Sequence, residues 1–253
     1  MIRSLFIWIA VAFITFGLSF LVVLATIFRI DSNLYDTAAR TWGRWILKIS
    51  GTPVIVEGLE NVRMDAPQIF VSNHVSWFDV FALAAYIPKR YRFVAKEELG
   101  RIPIFGQAWK AAGHIAVNRS DRAQAVRALE AFGRLIREDK SSIVIFPEGT
   151  RSKTGELLPF KKGAFMLALH THVDIVPVAV IGTRDILRKG DWRVKKGRII
   201  LRFGEAIPTQ GYTEANRNEL IALVRERMQQ LLSQPVDQGK GRGNVGDRQH
   251  PRA

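Results

Sequence analysis

The 253-residue chain reads as an α/β domain, with a mostly buried mixed sheet flanked by helices, behind an N-terminal membrane-associated helical segment. Three observations predict this. From Pro53 onward, short β-branched and aromatic runs alternate with helix-like stretches, the order expected of a sheet carrying helices on its faces. Two polar stretches, NHVSWFD (73–79) and FPEGTRS (146–152), each follow directly on an apolar run, and ligand sites in such sheets gather at strand ends. Residues 4–28, SLFIWIAVAFITFGLSFLVVLATIF, carry no charge.

As a helix those 25 uncharged residues would reach about 37 Å at 1.5 Å per residue, against a hydrocarbon core of about 30 Å. A cleaved signal peptide is disfavoured, because the apolar run exceeds the usual length and ends at Arg29 without a clear small-residue cleavage site. A buried core helix, softened by Gly17 and Ser19, is the other alternative; length favours the membrane. Spanning the bilayer and bending at Gly17 to re-enter one leaflet both stay open.

Behind it, Asp31 or Ser32 can cap a helix in which Leu34, Ala38, Trp42, Trp45 and Ile49 recur at helical spacing. Tryptophans on an apolar stripe with basic flanks suit an interfacial helix. Docking of the same stripe on the protein core is the alternative. Residues 1–50 are therefore read as a membrane anchor with an interfacial helix. Basic residues are commoner after Arg29 than before it, which places the main domain on the cytoplasmic side.

Within the domain, 51–234, candidate strands are 54–58, 68–72, 92–96, 114–117, 142–146, 175–180 and 198–203. Candidate helices lie near 77–87, 121–138, 161–171 and 214–233. Pro177, inside VPVAV (176–180), predicts a sheet edge or an irregularity. The tail 235–253 has little to bury and reads as disordered and solvated.

A formal charge of +14, from 37 basic against 23 acidic residues, favours anionic partners: nucleic acid, an anionic membrane surface or phosphorylated small molecules. The apolar N-terminus selects lipid and leaves no reason to expect nucleic acid. Cysteine is absent, so disulfides, a thiolate nucleophile and cysteine metal sites are excluded.

His74 and Asp79 are five residues apart, about 140° around a regular helix, and would not share a face. Asn73, Ser76 and Asp79 are all good helix-start residues. The strand 68–72 can therefore turn at Asn73 and His74 into a helix beginning near Ser76 or Trp77. Such a turn can bring Asp79 back to one imidazole nitrogen, fixing the tautomer that leaves the other nitrogen as a base. Taken alone, the pair reads first as a turn residue, His74, and a cap, Asp79.

In FPEGTRS, Gly149 permits unusual dihedrals or close approach, while Thr150, Arg151 and Ser152 cluster donors. The fork of an arginine matches a phosphate. Glu148 can pair with Arg151 or a neighbouring cation, or accept from a substrate hydroxyl. Taken alone, this stretch is an ordinary polar turn.

Together the stretches resemble the glycerolipid acyltransferase family, most closely the bacterial 1-acyl-sn-glycerol-3-phosphate (lysophosphatidate) acyltransferases. NHVSWFD, GHIAVNR (113–119), FPEGTRS and VPVAV appear in the family's order, and the similarity runs from about Gly51 to Pro208. The resemblance implies a glycerolipid acyltransferase-like fold at the bacterial inner membrane. It implies that His74, oriented by Asp79, is the general base that deprotonates a lysophospholipid hydroxyl. The acyl chain would come from acyl-CoA or acyl carrier protein, with no covalent acyl-enzyme, no cofactor and no metal. It also implies that Glu148, Gly149 and Arg151 bind the acceptor, with Arg151 and Arg119 on its phosphate.

Beyond the matched residues, Thr150 belongs to the same donor cluster, and Lys96 and Lys161-Lys162 can extend an anion pocket or be solvated. His114 departs from the apolar or aromatic residue common in the second block and is read as structural. His170 and His172, two apart, suit no metal site. The basic segment 182–198 faces anionic headgroups, the phosphates of coenzyme A, or solvent. Competing functions are acylation of another lysolipid such as a lyso-ornithine lipid, acylation of glycerol 3-phosphate, thioester hydrolysis, and non-enzymatic binding to anionic membranes.

Overall fold

The computed structural model describes residues 1–30, 33–117 and 122–235. Asp31, Ser32, Arg119 and the tail beyond Pro235 therefore lie outside the described residues. The elements run α1 (Ile2–Ile27), α2 (Asn33–Ile49), β1 (Val54–Glu57), β2 (Ile69–Ser72), α3 (Trp77–Tyr86), β3 (Tyr91–Lys96), α4 (Phe105–Ala111), β4 (Ile115–Val117), α5 (Arg122–Arg137), β5 (Ser142–Ile145), α6 (Lys162–Thr171), β6 (Ile175–Ile181), α7 (Thr183–Ile186), β7 (Ile199–Phe203) and α8 (Arg217–Ser233). All seven candidate strands form, within a residue or two of their predicted bounds. The short helices α4 and α7 are additions.

The strands form one mixed sheet in the order β1-β7-β6-β2-β5-β3-β4. Among the described residues only β6 and β7 pair antiparallel as neighbouring strands; the other neighbours are parallel. Both faces are covered, which is why the central strands are continuous apolar runs. Phe70, Val144, Val176 and Val178 face a core shared with α2 and α3. Ile69, Val71, Ile143, Ile145 and Ile175 alternate onto the opposite core, with α5, α6 and α8.

Pro177 is not at an edge, since β6 lies between β7 and β2. It marks an irregularity. Val178 pairs with Phe203, whereas Ile175 pairs with Ile207, so one extra residue interrupts the partner strand there. The Pro177 carbonyl accepts from the Gly204 amide at 2.9 Å. Carbonyl and nitrogen of one strand residue point the same way, so the missing N–H falls where the ladder is already broken.

The predicted stripe of α2 divides. Gly43, Ile46 and Leu47 are buried against the core, and Trp42 meets Phe81 edge-on at 5.0 Å while its indole N–H donates to Thr15 Oγ1 at 2.9 Å. Leu34, Trp45 and Ile49 stay exposed. Gly43 is responsible for the close approach: a Cβ there would lie 2.5 Å from the Phe81 carbonyl oxygen.

Helix α1 has the length and apolarity to cross a membrane. One side carries exposed Leu5, Phe6, Ile9, Phe13, Phe16 and Phe20. The other is fastened to the domain by polar bonds: Arg3 donates to the Val194 and Ser50 carbonyls, Ser4 Oγ accepts from the Val194 amide, and the Trp8 indole donates to the Trp192 carbonyl.

Candidate active site

Four neighbouring parallel strands, in the order β6-β2-β5-β3, deliver their C-terminal ends to one edge of the sheet. The turn after β2 carries His74 and leads into α3 with Asp79, the loop after β5 carries Glu148–Ser152, β6 is followed by Gly182 and Thr183, and β3 ends at Lys96. Sheet order thus gathers segments that the sequence keeps far apart.

The β2–α3 turn is a capping box. Ser76 Oγ accepts from the Phe78 amide, and Asp79, at the third helical position, accepts from the Ser76 amide. Asp79 Oδ2 also accepts from the Val75 amide at 2.7 Å and lies 2.9 Å from His74 Nδ1. Because this oxygen already faces two N–H donors, the hydrogen of the shared contact belongs to Nδ1, and Nε2 is the acceptor left toward the cavity. Asp79 is at once helix cap and histidine partner. Asn73 completes the turn by pairing through its side-chain amide with both the N–H and the C=O of Val180 on β6.

The FPEGTRS loop grips the backbone of His74. Glu148 Oε1 accepts from the His74 amide at 2.8 Å, and the Ser152 amide donates to the His74 carbonyl at 2.8 Å. The Phe146 ring stacks on the imidazole, centroids 3.9 Å apart and planes 16° apart. Glu148 Oε2 accepts from the Leu158 amide at 2.9 Å. Burial pushes the Glu148 carboxyl above its ordinary value, and the amides of Leu158 and His74 partly oppose this. Glu148 is 2% exposed and both of its oxygens are engaged by the main chain. Among the described residues Glu148 is held by main-chain amides and not by Arg151 or another cation, and it braces the backbone of His74 from behind. Gly149, at φ 75°, makes the left-handed turn that its sequence position suggested.

Beside His74 opens a cavity of about 630 Å³. Trp8, Val11, Phe16, Trp42, Phe93 and Phe105 form its apolar wall, contributed partly by α1 and α2. Gly149, Thr150, Arg151, Lys96 and Lys189 form its polar margin. The Arg151 guanidinium carbon sits 4.9 Å from the centroid of Trp77, the first residue of α3. An imidazole thus shares one cavity with an apolar wall and a margin of cations and donors, an arrangement able to hold an amphiphile with a negatively charged head.

The Acyltransferase family model matches residues 53–181. The chain belongs to the acyltransferase family. It is 31% identical over 217 residues to the 1-acyl-sn-glycerol-3-phosphate acyltransferase of Haemophilus influenzae, covering 86% of this chain and 88% of that one. It is 36% identical over 194 residues to the Cocos nucifera protein of the same name, covering 77% of this chain. There it spans only 61% of the relative's length. The crystal structure of the 1-acyl-sn-glycerophosphate (LPA) acyltransferase PlsC from Thermotoga maritima superimposes with a TM-score of 0.77 at 26% identity, covering 93% of this chain and 97% of that one.

Of the basic residues offered for an anion pocket in this acyltransferase, Lys96 lines the cavity and Lys161 and Lys162 take the solvated alternative. Lys161 and Lys162, at the start of α6, are exposed and absent from the described cavity lining. Lys189 enters the cavity instead and donates to Thr150 Oγ1 at 3.0 Å and the Arg151 carbonyl at 2.8 Å. The only sequence signal for it was its place in a basic segment. His114 accepts the Phe93 amide on Nδ1 at 3.0 Å and packs on Trp109. Desolvation, and secondarily Arg92, lower its pKa to about 3. A neutral acceptor inside the wall is a structural part, consistent with its reading from sequence.

Proposed function

We propose that the chain transfers a fatty acyl group from an acyl thioester to the free sn-2 hydroxyl of 1-acyl-sn-glycerol-3-phosphate, giving phosphatidic acid. The observation that carries this reading is that His74, with Nδ1 on Asp79, lines one cavity together with the apolar wall and the Thr150-Arg151-Lys189 margin. The relatives' names supply the substrate class.

His74 accepts the hydroxyl proton at Nε2 while the lipid oxygen attacks the thioester carbonyl. Asp79 stabilises the imidazolium through Nδ1. Collapse of the tetrahedral intermediate breaks the C–S bond, and the thiolate leaves with the proton from His74. Arg151, Thr150 and Lys189 receive the acceptor phosphate, with Lys96 at the other side of the mouth. The aromatic wall takes an acyl chain.

Residues 1–50 act as the membrane-associating unit and 51–234 as the acyltransferase domain, seated on the cytoplasmic face of the inner membrane. Acyl-CoA and acyl carrier protein both suit the basic margin as donors.

Purified protein given radiolabelled acyl-CoA or acyl carrier protein and a panel of lysophosphatidate, lyso-ornithine lipid, glycerol 3-phosphate and no acceptor tests the reading. Label should appear in phosphatidic acid, and His74→Ala should reduce it about 10²- to 10⁴-fold while membrane association persists. Free fatty acid released without an acceptor, or turnover confined to another acceptor, overturns it.

A further inference from the structure

We infer that Thr183 is a positioning residue of the reaction proposed above: its hydroxyl fixes the rotation of the Asp79 carboxylate, and through it the direction of the His74 ring. The inference rests on that reaction and concerns a residue outside the two polar stretches. Thr183 Oγ1 donates to Asp79 Oδ1 at 2.5 Å, and both side chains are fully buried.

The two carboxylate oxygens are held very differently. Oδ2 collects the Val75 and Ser76 amides and His74 Nδ1. For Oδ1, Thr183 is the partner among the described residues. The bond that turns a carboxylate is an sp³–sp² torsion with a broad, nearly two-fold profile. Three donors on one oxygen therefore leave the plane of the group poorly defined. Without the hydroxyl, Oδ1 would be a buried acceptor lacking a donor. The group would rotate to share the turn's amides, taking Oδ2 out of line with Nδ1.

A neutral donor suits the task. An arginine or lysine at this position would also hold Oδ1, but its charge would offset that of Asp79 and weaken its pull on the imidazolium. Thr183 adds direction and leaves the negative charge in place.

The backbone brings Thr183 to this point by a constrained route. Gly182, at φ 90°, follows β6, and a Cβ on it would lie 2.2 Å from the Arg198 carbonyl oxygen. Thr183 then opens α7, whose far end returns to the same turn: Ser76 Oγ donates to the Leu187 carbonyl at 2.8 Å. The segment is thus attached to the capping box at Asp79 and at Ser76, one bond at each end.

Steady-state kinetics on Thr183→Val, Thr183→Ser and Thr183→Ala, with the full-length protein in lipid vesicles and the donor and lysophosphatidate that the wild type uses, test this. Valine keeps the shape and removes the donor, and serine keeps the donor and removes a methyl. We expect kcat to fall about 10- to 100-fold in the valine and alanine variants, with KM for both substrates unchanged and kcat largely retained in serine. If valine does not fold, the difference between serine and alanine reads the hydroxyl. Wild-type kcat in the valine or alanine variant overturns the inference, as does serine falling together with alanine, which marks a packing role, or a loss confined to KM. A wild-type protein inactive on every donor and acceptor refutes the proposed reaction itself, and is thereby distinguished from these outcomes.

Discussion

The guanidinium of Arg151 lies over the indole of Trp77, 4.9 Å from its centroid. This contact joins the two polar stretches on the side facing the cavity, as the Glu148 brace joins them behind. Arg151 is half-buried and its long side chain would otherwise sample many rotamers. The indole limits that freedom while the guanidinium stays on the cavity lining, where a planar fork can meet a phosphate.

Trp77→Ala should therefore weaken binding of phosphate-bearing acceptors. A cation–π contact contributes about 0.5–2 kcal/mol, corresponding to roughly 2- to 30-fold in acceptor KM, with kcat little altered. Trp77→Phe should recover part of the loss. An unchanged KM in the alanine variant would show that Arg151 does not depend on the stack.

His114 gives the fold an acid limit. Its pKa is about 3 in the folded protein against 6.5 unperturbed. Below 6.5 the unfolded chain takes up a proton that the folded chain refuses, so stability is lost as pH falls from about 6.5 toward 3. His114→Asn keeps an acceptor for the Phe93 amide and does not titrate. Its thermal midpoint should fall less than that of the wild type between pH 7 and pH 4. Equal slopes would sink the assignment.

Gly43 is expected to resist even alanine. The added Cβ would meet the Phe81 carbonyl oxygen at 2.5 Å and the Ala85 amide at 2.9 Å, backbone atoms that cannot swing aside. Overpacking of this kind costs about 1–3 kcal/mol, more than the gain of about 1 kcal/mol from alanine's helix propensity at its upper limit. A denaturant midpoint above that of the wild type would show that α2 and α3 are not so close.

The strands were legible because burial on both faces leaves continuous apolar runs such as IFVS and SIVI, and their bounds moved little. The turn at His74 was legible from three cap-forming residues in seven. Helix α7 has four residues and α4 has seven, one of them the glycine packed against Gly100, too short for a periodic pattern to declare itself. The main-chain partners of Glu148 were not legible, because backbone amides carry no side-chain signature. Seven basic residues lie between 182 and 198, and only the three-dimensional path selects Lys189 among them. Thr183 lies 104 positions from Asp79, and nothing local ties a lone threonine to a carboxylate so distant.

That distance also sets an order of events in time. A growing chain that has emerged as far as Val117 already contains NHVSWFD, but neither the glutamate and serine amide that grip His74 nor the threonine that faces Asp79. Those contacts close loops of 74 and 104 positions, and non-local closures are the slow part of folding. The alignment of His74 therefore waits on residues at 148, 152 and 183. The His74–Asp79 geometry is complete only when β5 and β6 have flanked β2.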